Sequence, residues 1–121
     1  MAAKEDDPAY RSLRDLAFEN APIGLVLTEN RVIGACNRTF ADIFGYEKDE
    51  LIGQSFRVLY SSREDFDSIR DIGLTALKSG ESYTDERIMP RKDGSLFWCR
   101  LRARSLTPDD PLNRVILSYA D

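Results

Sequence analysis

Histidine is absent from all 121 residues. That removes the side chain most used as a general base near neutral pH, the commonest metal ligand and the usual proximal ligand of haem. Cysteine is almost as scarce, with Cys36 and Cys99 far apart and in no Cys-x-x-Cys spacing. Neither a disulfide framework nor a zinc site is indicated, and both read as small core residues. An excess of positive charge is missing too: the net charge is −4 and the sequence pI about 4.9. The general electrostatic pull on nucleic acid or on an anionic membrane is therefore lacking. No window approaches the roughly 18 consecutive apolar residues of a membrane span. The start, "MAAKEDDPAY", is acidic where a secretory signal is basic and then apolar, so the reading is a cytoplasmic protein.

What is present suits a globular domain. Apolar residues make up 42% and charged residues 31% of the chain, an ordinary balance, and the length fits one domain of about 100–150 residues. Residues 1–9 read as a disordered segment and 10–121 as a single domain that starts with a helix carrying Leu13 and Leu16 at helical spacing. Two β-rich runs, 23–28 and 31–36, flank a tight hairpin at Glu29-Asn30. Asn37 is placed as a helix N-cap, with Phe40, Ile43 and Phe44 on one face of the short helical pieces that follow and Gly45 and Gly53 as breakers.

The long helix is clearest. Ser62 with Asp65 marks its start, Phe66, Ile69, Gly73 and Leu77 mark its inner face, and Gly80 ends it. Two strands then flank Asp93-Gly94, read as a two-residue turn, and a third returns after the loop "TPDDPL". Pro90 cannot donate a ladder hydrogen bond, which puts its strand at a sheet edge. Along 95–106, Phe97, Cys99, Leu101 and Ala103 alternate with Trp98, Arg100, Arg102 and Arg104. The second face is either a solvated surface or a cover for the N-terminal helix or a partner subunit. The interface candidates are Leu13, Leu16, Trp98, Arg100 and Arg102. Two strands, helices, then three strands make an α+β fold: one five-stranded antiparallel sheet with helices on one face and room for a ligand between the layers.

The segments "FENAPIGLVLTE", "CNRTFADIFGYEKDELIGQ" and "MPRKDGSLFWCRLRA", in this order, resemble the PAS domain (sensory box) family, from about Leu13 to Asp121. The resemblance implies strand order 2-1-5-4-3 and a bacterial signalling module with a downstream output domain of diguanylate cyclase or histidine kinase type. The flavin-binding light-oxygen-voltage branch of that family carries Gly-x-x-Cys-Arg-x-Leu-Gln. Here the frame is Gly53, Gln54, Ser55, Phe56, Arg57, Val58, Leu59, Tyr60, so the reactive thiol is replaced by a phenyl ring. Met89, Cys99 and Tyr119 stand where that branch has flavin-binding amides. Photoactive flavin is disfavoured, and haem likewise for want of a histidine.

The pocket candidates are Phe40, Phe44, Phe56, Arg57, Tyr60, Phe66, Ile69, Met89, Cys99, Leu101 and Tyr119, whose first reading is a packed core. Arg57 reads first as an ion-pair partner of Glu64 or Asp65. Two functions stay open: a module that binds a small metabolite or a partner, and a ligand-free homodimerisation module. Enzymatic activity is not expected. Asp109 and Asp110 lie in a Pro-flanked loop, and no nucleophile elbow or phosphate-cradling loop is present.

Overall fold

The computed structural model of the protein describes residues 7–121. Helix α1 (Pro8–Glu19) opens on Asp7, whose side chain accepts from the Ala9 amide, with Pro8 in its favoured first-turn place. Pro8 and Ala9 are thus helical rather than part of an N-terminal segment, while residues 1–6 lie outside the described residues. Strands β1 (Gly24–Glu29) and β2 (Val32–Cys36) follow. The hairpin turn is Asn30-Arg31, one residue later than Glu29-Asn30, because Glu29 still pairs with Val32 across the ladder. Both turn residues have positive φ, 49° and 64°, as a type I′ turn demands.

Helices α2 (Arg38–Phe44) and α3 (Lys48–Leu51) and a single 3₁₀ turn (Phe56–Leu59) lead to α4 (Arg63–Lys78). Ser62 caps α4 by accepting from the Asp65 amide, and Ile69, Gly73 and Leu77 are its buried residues. Strands β3 (Tyr83–Pro90), β4 (Leu96–Ser105) and β5 (Arg114–Ala120) complete an antiparallel sheet in the order β2-β1-β5-β4-β3. Pro90 is on the β3 edge, as its missing donor requires. The β3–β4 connection is longer than a two-residue turn. The Gly94 amide donates to the Arg91 carbonyl, only Gly94 has positive φ (88°), and the ladder resumes at Pro90–Leu96. Asp93 keeps negative φ and instead accepts from the Ser95 amide and hydroxyl.

The helices after β2 cover one sheet face, and the core lies between. Asn37 holds three elements together from a fully buried position. Its Oδ1 accepts from the Leu25 and Phe40 amides, and its Nδ2 donates to the Phe18 and Ile23 carbonyls. The end of α1, the start of β1 and the first turn of α2 are therefore tied through one side chain.

Close packing at Gly24 completes that corner. A Cβ there would stand 2.9 Å from Phe40 Cα, a backbone atom that cannot yield without moving α2. Gly24→Ala is expected to lower stability by about 1–3 kcal/mol through this overpacking. A urea unfolding curve checks it, and an unchanged midpoint would show that α2 shifts freely.

Candidate functional site

Helix α4 does not seal against the sheet. Gly73 presents no side chain, and the 3₁₀ turn brings in Phe56 and Tyr60 rather than aliphatic filler. Between these elements and β1, β4 and β5 lies a cavity of about 60 Å³, walled by Ile69 and Leu77 from α4, Leu101 and Ala103 from β4, and Val115 and Leu117 from β5. Its polar wall is Thr28, Arg31, Tyr60, Arg70 and Tyr83. The lining is otherwise apolar.

Arg31 reaches this wall from the β1–β2 turn. Its guanidinium stacks on Phe66 at 3.5 Å from the ring centroid, and Nη2 donates to the Phe66 carbonyl at 2.7 Å. Burial lowers the pKa of Arg31 from its ordinary value. Its Nη1 is buried with no hydrogen-bond partner, as are Arg87 Nε and Tyr119 Oη. Arg70, by contrast, is held by Asp71 at 3.0 Å.

Of the sequence candidates, Phe56, Tyr60, Ile69 and Leu101 line the cavity. Phe40, Phe44, Met89, Cys99 and Tyr119 are buried core outside its lining. Phe66 lies under Arg31. Arg57 is neither lining nor ion-paired to Glu64 or Asp65: its Nη1 donates to the carbonyl of Tyr60, the residue that ends its own 3₁₀ turn. Arg31, Arg70 and Tyr83 were not among the candidates. Arg31 falls in the β-rich run 31–36 of the sequence reading, and its place in a turn position that favours glycine follows only from the ladder register.

The aromatic candidates pack on one another. Phe97, Phe44, Phe40 and Tyr119 form edge-on or tilted contacts with centroids 5.0–5.4 Å apart, and Phe56, Tyr60 and Phe66 continue the series at 5.6–6.5 Å. Burial pushes the Tyr119 phenol well above its usual range and raises Tyr60 as well. The two phenols influence each other's ionisation, although no hydrogen bond of ordinary geometry reaches Tyr119 Oη. Burial first, and then Asp85, pushes Tyr83 up to about 12, and burial pushes the Cys99 thiol up to about 11.

These shifts share one sign. Each group holds its proton more tightly folded than unfolded, so the unfolded chain releases protons first as pH rises. Their stabilising contribution is complete below pH 9–10, where the unfolded thiol and phenols begin to titrate, and it is lost as pH climbs toward 11–12. The melting temperature is expected to fall steadily across that window. A flat profile in calorimetry would mean these groups are solvated.

The interface candidates are all exposed. Leu13 and Leu16 are 64% and 59% exposed and α1 buries none of its residues, so it does not cover Trp98, which is 62% exposed. Arg100 pairs with Glu86 at 3.0 Å, and Arg102 lies on the open face. Among the described residues, no helix is long and apolar enough to cross a membrane and no His, Cys, Asp and Glu group is arranged to hold a metal.

Residues 20–120 match the family described as PAS domain. The chain belongs to the PAS domain family. Its sheet order is the one that the resemblance implied. A PAS domain of a LuxR-family transcriptional regulator from Burkholderia thailandensis, solved in complex with ethanol, is 42% identical with TM-score 0.84, covering 88% of this chain and 95% of that one. The sensor protein TdiS of Thauera aromatica is 33% identical over 97 residues, 80% of this chain. A blue-light-activated histidine kinase of Brucella anthropi is 29% identical over 110 residues, 87% of this chain. This chain spans only 18% and 22% of the length of those two relatives.

A flavin does not fit this PAS domain as folded. The buried Phe56 ring replaces the thiol, the aromatic series fills the interior, and the 60 Å³ that remain fall far below the roughly 300 Å³ at which ordinary cofactor sites begin.

Proposed function

We propose that this PAS domain is a non-enzymatic sensory module of a bacterial signalling protein, one that binds a small molecule between α4 and the sheet and passes the change to an output domain. The observation that carries this reading is the cavity itself. It is apolar on most sides, and its lining includes Arg31, a residue with one buried nitrogen that has no hydrogen-bond partner. The 42%-identical domain solved with ethanol supports it, because the volume here suits a molecule of about that size. An output of histidine kinase or diguanylate cyclase type fits a module of this kind, and the kinase relative favours the first. Neither haem nor flavin is needed, and a cytoplasmic place accords with the acidic chain. Binding is tested by thermal shift with ethanol and 1-propanol. A saturable rise in melting temperature supports the reading, and a monotonic fall with both alcohols contradicts it.

A second reading rests on a separate observation: α1 carries Leu13 and Leu16 exposed, and the outer sheet face carries Ile88 and Trp98 at 54% and 62% exposure. Such surfaces suit a homodimer contact. Sedimentation at micromolar concentration tests it, and a monomer would exclude it.

A further inference from the structure

Neither backbone conformation nor packing calls for a glycine at position 73. Gly73 lies inside α4, where glycine weakens a helix relative to alanine, and it is not among the glycines whose positive φ favours a missing side chain. A Cβ built there would stand 3.5 Å from the nearest atoms of the Tyr83 ring, an ordinary van der Waals contact. At Gly24, by contrast, the same addition meets backbone at 2.9 Å. Alanine therefore fits at 73, and by helix propensity it is the more stabilising residue.

What a side chain at 73 would occupy is the cavity. Ile69 and Leu77 stand four residues before and after Gly73 on the same helix face, and all three line the space. A methyl group at 73 would project between those two side chains and toward Tyr83 at the start of β3, which lines the space as well. In a volume of about 60 Å³, one methyl group takes a large part of what a ligand can use.

On the reading that the cavity is the sensory site, we propose that Gly73 sets the size of the molecule it accepts. The missing side chain leaves room for the last carbon of a short aliphatic ligand, between Ile69 and Leu77 and against the Tyr83 ring, and α4 is less stable for it.

Gly73→Ala separates the two consequences. Its urea midpoint should rise, because alanine fits and favours the helix. In titrations of the full chain followed by NMR, the larger of ethanol and 1-propanol that saturates the wild type should bind the variant about tenfold more weakly or worse, the loss expected when room for about one methylene is taken away. Ser68→Ala, at an exposed position of the same helix, is the control. It should also raise the midpoint while leaving that alcohol within about twofold of its wild-type affinity. A raised midpoint in Gly73→Ala with unchanged alcohol binding would overturn the size assignment and leave the site in place. An equal loss of binding in Ser68→Ala would overturn it too, tracing the effect to the stiffness of α4, and a lowered midpoint in Gly73→Ala would do so by showing that a side chain has no room there. No saturable binding of either alcohol to the wild type would overturn the cavity reading and the size assignment together.

Discussion

Asn37→Ala is expected to lower the unfolding free energy by about 3–5 kcal/mol, a large share of the roughly 5–15 kcal/mol that holds a domain folded. One side chain satisfies two backbone amides and two backbone carbonyls, and it is fully buried. Losing an N-cap alone costs about 1 kcal/mol. Here the Leu25 amide and the Ile23 carbonyl also lose the Asn37 side chain, the Phe18 carbonyl keeps only the Ala21 amide, and each group left unmade in a buried place costs about 1–3 kcal/mol. The total is discounted because water reaches part of this corner. The measurement is the urea midpoint at constant slope. A loss below 1 kcal/mol would show that solvent replaces the amide group at no cost.

Phe56→Ala is expected to cost about 3–5 kcal/mol, in the range for a buried ring removed without collapse. The ring is 4% exposed, packs against Tyr60 and Tyr119 at 5.9 and 6.5 Å, and forms part of the cavity wall. Its removal should merge its volume with the existing cavity, so the variant should also bind a benzene-sized apolar molecule that the wild type excludes. Denaturant unfolding and a benzene titration report the two effects separately. A negligible stability change would place the ring in water, and failure to admit benzene would mean that α4 closes over the gap.

The stretch around Phe56 shows what was legible in the residues. Alternation along β4 and the edge position of Pro90 carried most of the sheet, because both follow from local backbone rules. The inner face of α4 was legible for the same reason, from spacing alone. The first hairpin turn lies one residue later than its composition suggests because cross-strand pairing holds Glu29 to Val32, and the β3–β4 connection is longer than the two residues Asp93-Gly94, with Asp93 accepting from Ser95 inside it.

The cavity was less legible. Phe40, Phe44 and Tyr119 satisfy one another by ring packing and leave the cavity to Phe56, Tyr60, Tyr83 and the aliphatic residues of α4, β4 and β5. Arg31 meets Phe66 across 35 positions of sequence, and no periodicity encodes a contact made by two elements that approach only in the folded chain.

The central claim is that the space between α4 and the sheet receives a small molecule. Methyl-resolved NMR of the chain, titrated with a series of small alcohols and carboxylates, tests it most directly. The account predicts saturable shifts centred on the methyl groups of Ile69, Leu77, Leu101, Val115 and Leu117, fading toward the outer sheet face. Shifts that grow linearly without saturation, or that centre on Leu13, Leu16 and Ile88 instead, would contradict it.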